Sequence, residues 1–143
     1  MSKALLDLSQ IYTPHKQQGA AHCAHERTIL FGGAIRGGKT VWMVAEGIQL
    51  SIDYPGNVGI LCRQDMPSFK RTVLVELEKY QDVGLWCDQC RANHRLVLQH
   101  HQTDHAFTIY TGEGNKPSTI WYTGLGDDPR GLASKMGMTL GWF

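Results

Sequence analysis

Three features of the sequence predict an α/β fold. Short apolar runs alternate with helix-period stretches in the first half, a glycine-rich turn joins the first such pair, and short strands follow in the second half. Thr28-Ile29-Leu30-Phe31 is a brief apolar run leading into glycines, the pattern of a buried strand. From Thr40 to Tyr54, Val41, Val44, Ala45, Ile48 and Ile52 recur at helical spacing, and Pro55-Gly56-Asn57 stops the helix. Val58 to Cys62 reads as a second buried strand. Pro67 and Ser68 then open a helix whose Phe69, Val73, Leu77 and Tyr80 share one face. Strand, helix, strand, helix in this order predicts a mostly parallel sheet with right-handed crossovers, flanked by helices. Upstream, Lys16 to Ala24 follows the turn signal Thr13-Pro14 as a short helix.

The second half has a different texture. Arg95 to Gln99, Ala106 to Thr111 and Thr119 to Gly124 are strand-like, with Phe107/Ile109 and Ile120/Tyr122 each two apart. Gly112 to Lys116 supplies a turn between the last two, so an antiparallel hairpin is expected there. The chain closes on the apolar run Leu140-Gly141-Trp142-Phe143. That run predicts the opening of a strand that is incomplete at the C-terminus.

Composition narrows the classes further. With 143 residues there is room for one domain or part of a larger one, and 42% hydrophobic against 19% charged residues supports a packed core rather than disorder. A net charge of +1 argues against a binder that relies on bulk positive charge. No apolar run reaches the roughly 18 residues of a membrane span, and the N-terminus lacks the apolar core of a secretion signal. Four cysteines are too few for a disulfide scaffold, which points to a reducing compartment.

One motif carries chemistry. Gly33-Ala34-Ile35-Arg36-Gly37-Gly38-Lys39-Thr40 fits G-x-x-x-x-G-K-T, between an expected strand and an expected helix. Glycines let successive backbone N–H groups converge on phosphate oxygens, and the helix start adds its positive dipole end. In such a loop the lysine, here Lys39, reaches the β- and γ-phosphates of ATP, and the Thr40 hydroxyl ligates Mg²⁺. Arg36, inside the loop, is either a γ-phosphate contact or an exposed arginine that only softens phosphate charge. Tyr12-Thr13-Pro14-His15-Lys16-Gln17-Gln18 lies upstream; a glutamine amide, Gln17 or its neighbour Gln18, can pair with an adenine edge. Hydrolysis also requires a carboxylate at a strand end. Asp127-Asp128 are set off from their strand by Gly124-Leu125-Gly126, so the expectation is that the metal-binding carboxylates lie past Phe143.

The segments YTPHKQQ, GGAIRGGKT and LCRQDMPSFKRTVLVELEKY, with LVLQHHQTDHAF, IWYTGLGDD and SKMGMTLGWF, resemble the N-terminal ATPase domain of bacteriophage terminase large subunits. The resemblance spans nearly the whole chain and implies a P-loop fold and an ATP-driven motor that packages double-stranded DNA. It further implies a homo-oligomeric ring at the portal protein, a small terminase subunit as partner, and action in the host cytoplasm at the procapsid portal vertex. By matching positions it makes Lys39 and Thr40 the phosphate and metal contacts, Arg36 the loop arginine, and Gln17 the adenine-reading glutamine, with Gln18 an alternative register. It also implies that an Asp-Glu pair follows LGWF, so that residues 1–143 form a partial ATPase domain, without a nuclease domain and inactive alone. In that motor Arg63, Lys70 and Arg71 form a basic cluster able to touch a DNA backbone, or else a solvated helix face.

Two other readings stand beside it. One is a different P-loop ATPase acting on nucleic acid, such as a helicase-like protein. The other is an interaction module without turnover, either nucleotide-binding or stapled by zinc. Cys87-x-x-Cys90 with His101-x-x-x-His105 approaches a Cys₂His₂ zinc pattern, although Leu96-Val97-Leu98 between the pairs reads as strand where a finger would place a helix.

Overall fold

Apolar residues at i, i+3, i+4 and i+7 give helix α2 (Lys39–Asp53) one continuous apolar face, and the core forms on it. Val44, Ala45, Ile48 and Ile52 are buried on that face, against strands β2 (Val58–Arg63) and β7 (Ser118–Gly124) and the helical segments after β2. The computed structural model describes residues 4–6, 11–26, 28–32, 38–87, 92–110 and 116–126. Before α2 come a three-residue strand β1 (Ala4–Leu6) and helix α1 (Lys16–His22).

After β2 the chain forms α3 (Met66–Phe69), a π-helical stretch (Lys70–Leu74) and α4 (Val75–Glu78) as one continuous rod. Asp65 caps it: its carboxylate accepts from the Ser68 backbone N–H at 2.7 Å and from the Ser68 hydroxyl at 3.0 Å. Phe69, Val73, Leu77 and Tyr80 are all buried, as their spacing predicts. The π turn has a physical reason. Steps of four overshoot an α-turn of about 3.6 residues, and a wider turn takes up the drift that would carry Leu77 off the core.

The remaining strands are β3 (Gly84–Cys87), β4 (Ala92–Arg95), β5 (Val97–His101) and β6 (Ala106–Tyr110). They build two sheets, a three-stranded β1-β3-β4 and a four-stranded β2-β7-β6-β5. The expected pairing of the segments around Phe107 and Ile120 is present as the antiparallel pair β6/β7. The parallel pair is β2/β7, with Val58 opposite Thr119 and Arg63 opposite Gly124. Ser118, buried at the start of β7, donates to the Ser51 carbonyl at 2.6 Å and accepts from the Gly56 N–H at 3.1 Å, tying this pair to the end of α2.

Several sequence expectations need correcting. The sheet is not mostly parallel among the described residues: β6/β7 and β5/β6 are antiparallel, as is all pairing in the smaller sheet. Thr28 to Phe31 is not a strand. No described strand offers it a ladder of hydrogen bonds, and Leu30 is 96% exposed. The expected strand Arg95 to Gln99 is two strands in different sheets, split at Leu96, whose N–H donates to Val83 O at 2.8 Å and whose carbonyl accepts from Asp82 N at 2.9 Å. The expected helix Lys16 to Ala24 ends at His22. Residues 33–37, Cys90, most of the turn Gly112 to Lys116, Asp127-Asp128 and Leu140 to Phe143 lie outside the described residues.

Candidate phosphate-binding site

The start of α2 is shaped to receive an anion. Its cap is Gly38 at φ 72°, left-handed backbone that an L side chain adopts only under strain. The Trp42 N–H donates to Gly38 O at 2.9 Å and closes the first turn. That first turn holds Lys39 and Thr40 and no acidic residue, so the positive end of a 15-residue helix is not neutralised from within.

Helix α1 holds this point in place through Gln18, which is 4% exposed. Its Nε2 donates to Gly38 O at 2.9 Å, while its Oε1 accepts from the His15 N–H at 3.0 Å. The second bond is half of a capping box between His15 and Gln18. One buried amide therefore joins the first turns of α1 and α2. Gln17, the residue matched to adenine reading, is exposed on the same turn. A β-carbon on Gly38 would stand 2.3 Å from the Gln18 amide nitrogen, so glycine is required there by crowding as well as by backbone.

A second link between the two helices runs through Tyr12, His22 and Glu46. The Tyr12 hydroxyl and His22 Nε2 are 3.0 Å apart, and His22 Nδ1 pairs with the Glu46 carboxylate. Burial, and then the charge of Glu46, raise the pKa of the Tyr12 phenol. No spacing rule points to this chain of contacts, because its members come from three separate segments.

Beside the helix start lies a cleft of about 220 Å³. Lys39, Thr40 and Arg63 are its polar wall, and Phe31, Trp42 and Met43 form an apolar one. Phe31 and Trp42 hold their ring centroids 5.1 Å apart. Among the described residues no carboxylate lines the cleft. The structure thus brings together Gly38, Lys39, Thr40 and Gln18 among the residues of the motif and its upstream segment; Gly33, Ala34, Ile35, Arg36 and Gly37 lie outside the described residues. Arg63, placed by sequence in a basic cluster with Lys70 and Arg71, stands instead at this cleft.

The histidines of the alternative zinc pattern have other partners. His101 Nε2 is 3.0 Å from the Thr108 hydroxyl, and His105 stacks on Tyr122 at 5.3 Å. Nearby, His100 Nε2 is 2.7 Å from the Tyr122 hydroxyl, and its ring lies flat on Phe107. Burial lowers the His100 pKa below the ordinary imidazole value. Among the described residues no group of three or more His, Cys, Asp or Glu side chains is placed to hold a metal ion.

Neither a protein-family model nor a curated protein matches the chain. Solved structures do, and they define a class: the chain has the α/β fold found in bacteriophage large terminases. The particular match is the large terminase of a thermophilic bacteriophage. One crystal form aligns with a TM-score of 0.64 and 19% identity over 87% of this chain and 30% of that one. The same terminase in complex with ADP aligns with a TM-score of 0.63 and 20% identity over the same shares. At this identity the likeness is one of fold, and the chain spans about 30% of the length of the solved chains.

Proposed function

We propose that this chain is the ATP-binding part of a phage large-terminase motor, holding Mg-ATP at the start of α2. The observation that carries the reading is the meeting of Gly38, Lys39 and Thr40 with a cleft that holds two cationic side chains and, among the described residues, no acid. The ADP-bound phage terminase of like fold supports it. In this reading residues 33–37, with Arg36 among them, wrap the phosphates with their backbone, and Lys39 supplies a point charge. Adenine reading by Gln17 belongs to the same proposal, with Gln18 fixing the end of the loop.

The residues present fit a magnesium ion. Thr40 is at the cleft wall, where its hydroxyl can supply one oxygen ligand, and phosphate oxygens and water can complete the octahedron. When bound, the ion neutralises charge on the phosphates. Double-stranded DNA, the portal protein, a small terminase subunit and a ring of copies are the partners that go with this assignment.

The test is isothermal titration with ATP and ADP, with and without Mg²⁺. The wild-type chain is expected to bind both, and Lys39→Ala to weaken binding about tenfold or more, the loss of one charged hydrogen bond. An unchanged affinity in that variant, with circular dichroism showing the fold intact, refutes the site.

A further inference from the structure

We propose that Arg63 is a phosphate-binding residue of this site and reads the terminal phosphate of a nucleoside triphosphate. The inference rests on the nucleotide reading above and adds a residue that the glycine-rich motif does not contain.

Four observations carry it. Arg63 is the last residue of β2, the parallel strand, and ligand crevices in α/β sheets open at the carboxyl ends of such strands. It lines the same cleft as Lys39 and Thr40, the two residues that mark the β/γ end of a triphosphate in this kind of loop. Its backbone is held firmly. Arg63 O accepts from Leu125 N at 2.7 Å and Gln64 O from Gly126 N at 2.9 Å, so the side chain is presented from a fixed point.

The fourth observation is the charge left over. The ion pairs among the described residues are His22–Glu46 and Lys79–Glu76, and Arg63 belongs to neither. The acid nearest to it in sequence, Asp65, has both carboxylate oxygens engaged by Ser68. Those Ser68 bonds are what chiefly lower the Asp65 pKa, and Arg63 is the least of the groups that act on it. A half-buried guanidinium facing a cleft whose described lining holds no acid is a site for an anion. The planar fork of its N–H donors suits two phosphate oxygens at once.

A role for Arg63 in DNA contact predicts a different pattern, and the experiment separates the two. Arg63→Ala and Arg63→Lys are titrated with ADP and with a non-hydrolysable ATP analogue, alongside Lys39→Ala. Arg63→Ala is expected to weaken the analogue about tenfold or more and ADP by less than about threefold, since the lost charged bond is to the third phosphate. Arg63→Lys, which keeps the charge but not the fork, is expected to fall between. The proposal is overturned if Arg63→Ala leaves the preference for triphosphate over diphosphate unchanged while Lys39→Ala weakens both. It is also overturned if the only affinity lost is for double-stranded DNA. If Lys39→Ala changes nothing, the nucleotide reading has failed first and takes this one with it. Should Arg63→Ala not fold, Arg63→Gln gives the same selectivity comparison.

Discussion

Replacing Gly38 by alanine tests the joint between α1 and α2 without reference to any ligand. Left-handed backbone costs a non-glycine residue about 1–2 kcal/mol. The new β-carbon, 2.3 Å from Gln18 Nε2, also forces that amide away. Displacement breaks two hydrogen bonds, to Gly38 O and from the His15 N–H, at about 1 kcal/mol each. Gly38→Ala should therefore cost about 3–4 kcal/mol. Gln18→Ala loses the same two bonds but meets no strain, about 2 kcal/mol. In the double variant the bonds can be lost only once, so its cost should match Gly38→Ala alone, about 3–4 kcal/mol, and not the additive value of about 5–6. Urea unfolding of the four proteins reads this directly. A double-variant cost within about 0.5 kcal/mol of the sum of the singles would refute the shared contact.

Two further perturbations follow from buried polar groups. The Tyr80 hydroxyl is buried without a hydrogen-bond partner, and burial raises its pKa to about 12. Tyr80→Phe removes a polar group that gains nothing and should stabilise the fold by about 1 kcal/mol in chemical denaturation; a loss of stability would mean the hydroxyl has an acceptor. For His100, burial holds the folded-state pKa below the ordinary 6.5, so the unfolded chain binds the proton more readily. Its contribution is complete above pH 6.5 and is lost as the pH falls through 6.5 toward the folded value. His100→Asn should flatten that part of the stability curve, and an unaltered slope would show that another group governs it.

Long periodic stretches were legible in the sequence, and isolated contacts were not. The helix from Lys39 to Asp53 and the buried face of Phe69, Val73, Leu77 and Tyr80 are readable because helix period and core burial are the same signal. Apolar content alone misled at Thr28 to Phe31, since a strand also needs a neighbour to take its hydrogen bonds, and pairing is not written in the run itself. The two-sheet arrangement was hidden because the change at Leu96 occurs inside one apolar run. For the site, Gly38, Lys39 and Thr40 stood out by motif, whereas Arg63 stood out only as one charge in a cluster. Its place at the cleft comes from the pairing of β2 with β7, a contact between segments about 60 residues apart in sequence.

Leu96 sets how the two sheets can move. With both its N–H and its carbonyl bonded and its side chain fully enclosed, it leaves no slack between strands that serve different sheets. A force tilting the small sheet is passed to β5 as torque through a single α-carbon, without a loop to absorb it. The β1-β3-β4 sheet is therefore geared to the larger one, and a load on either is felt along β5, β6 and β7 as far as the strand that carries Arg63.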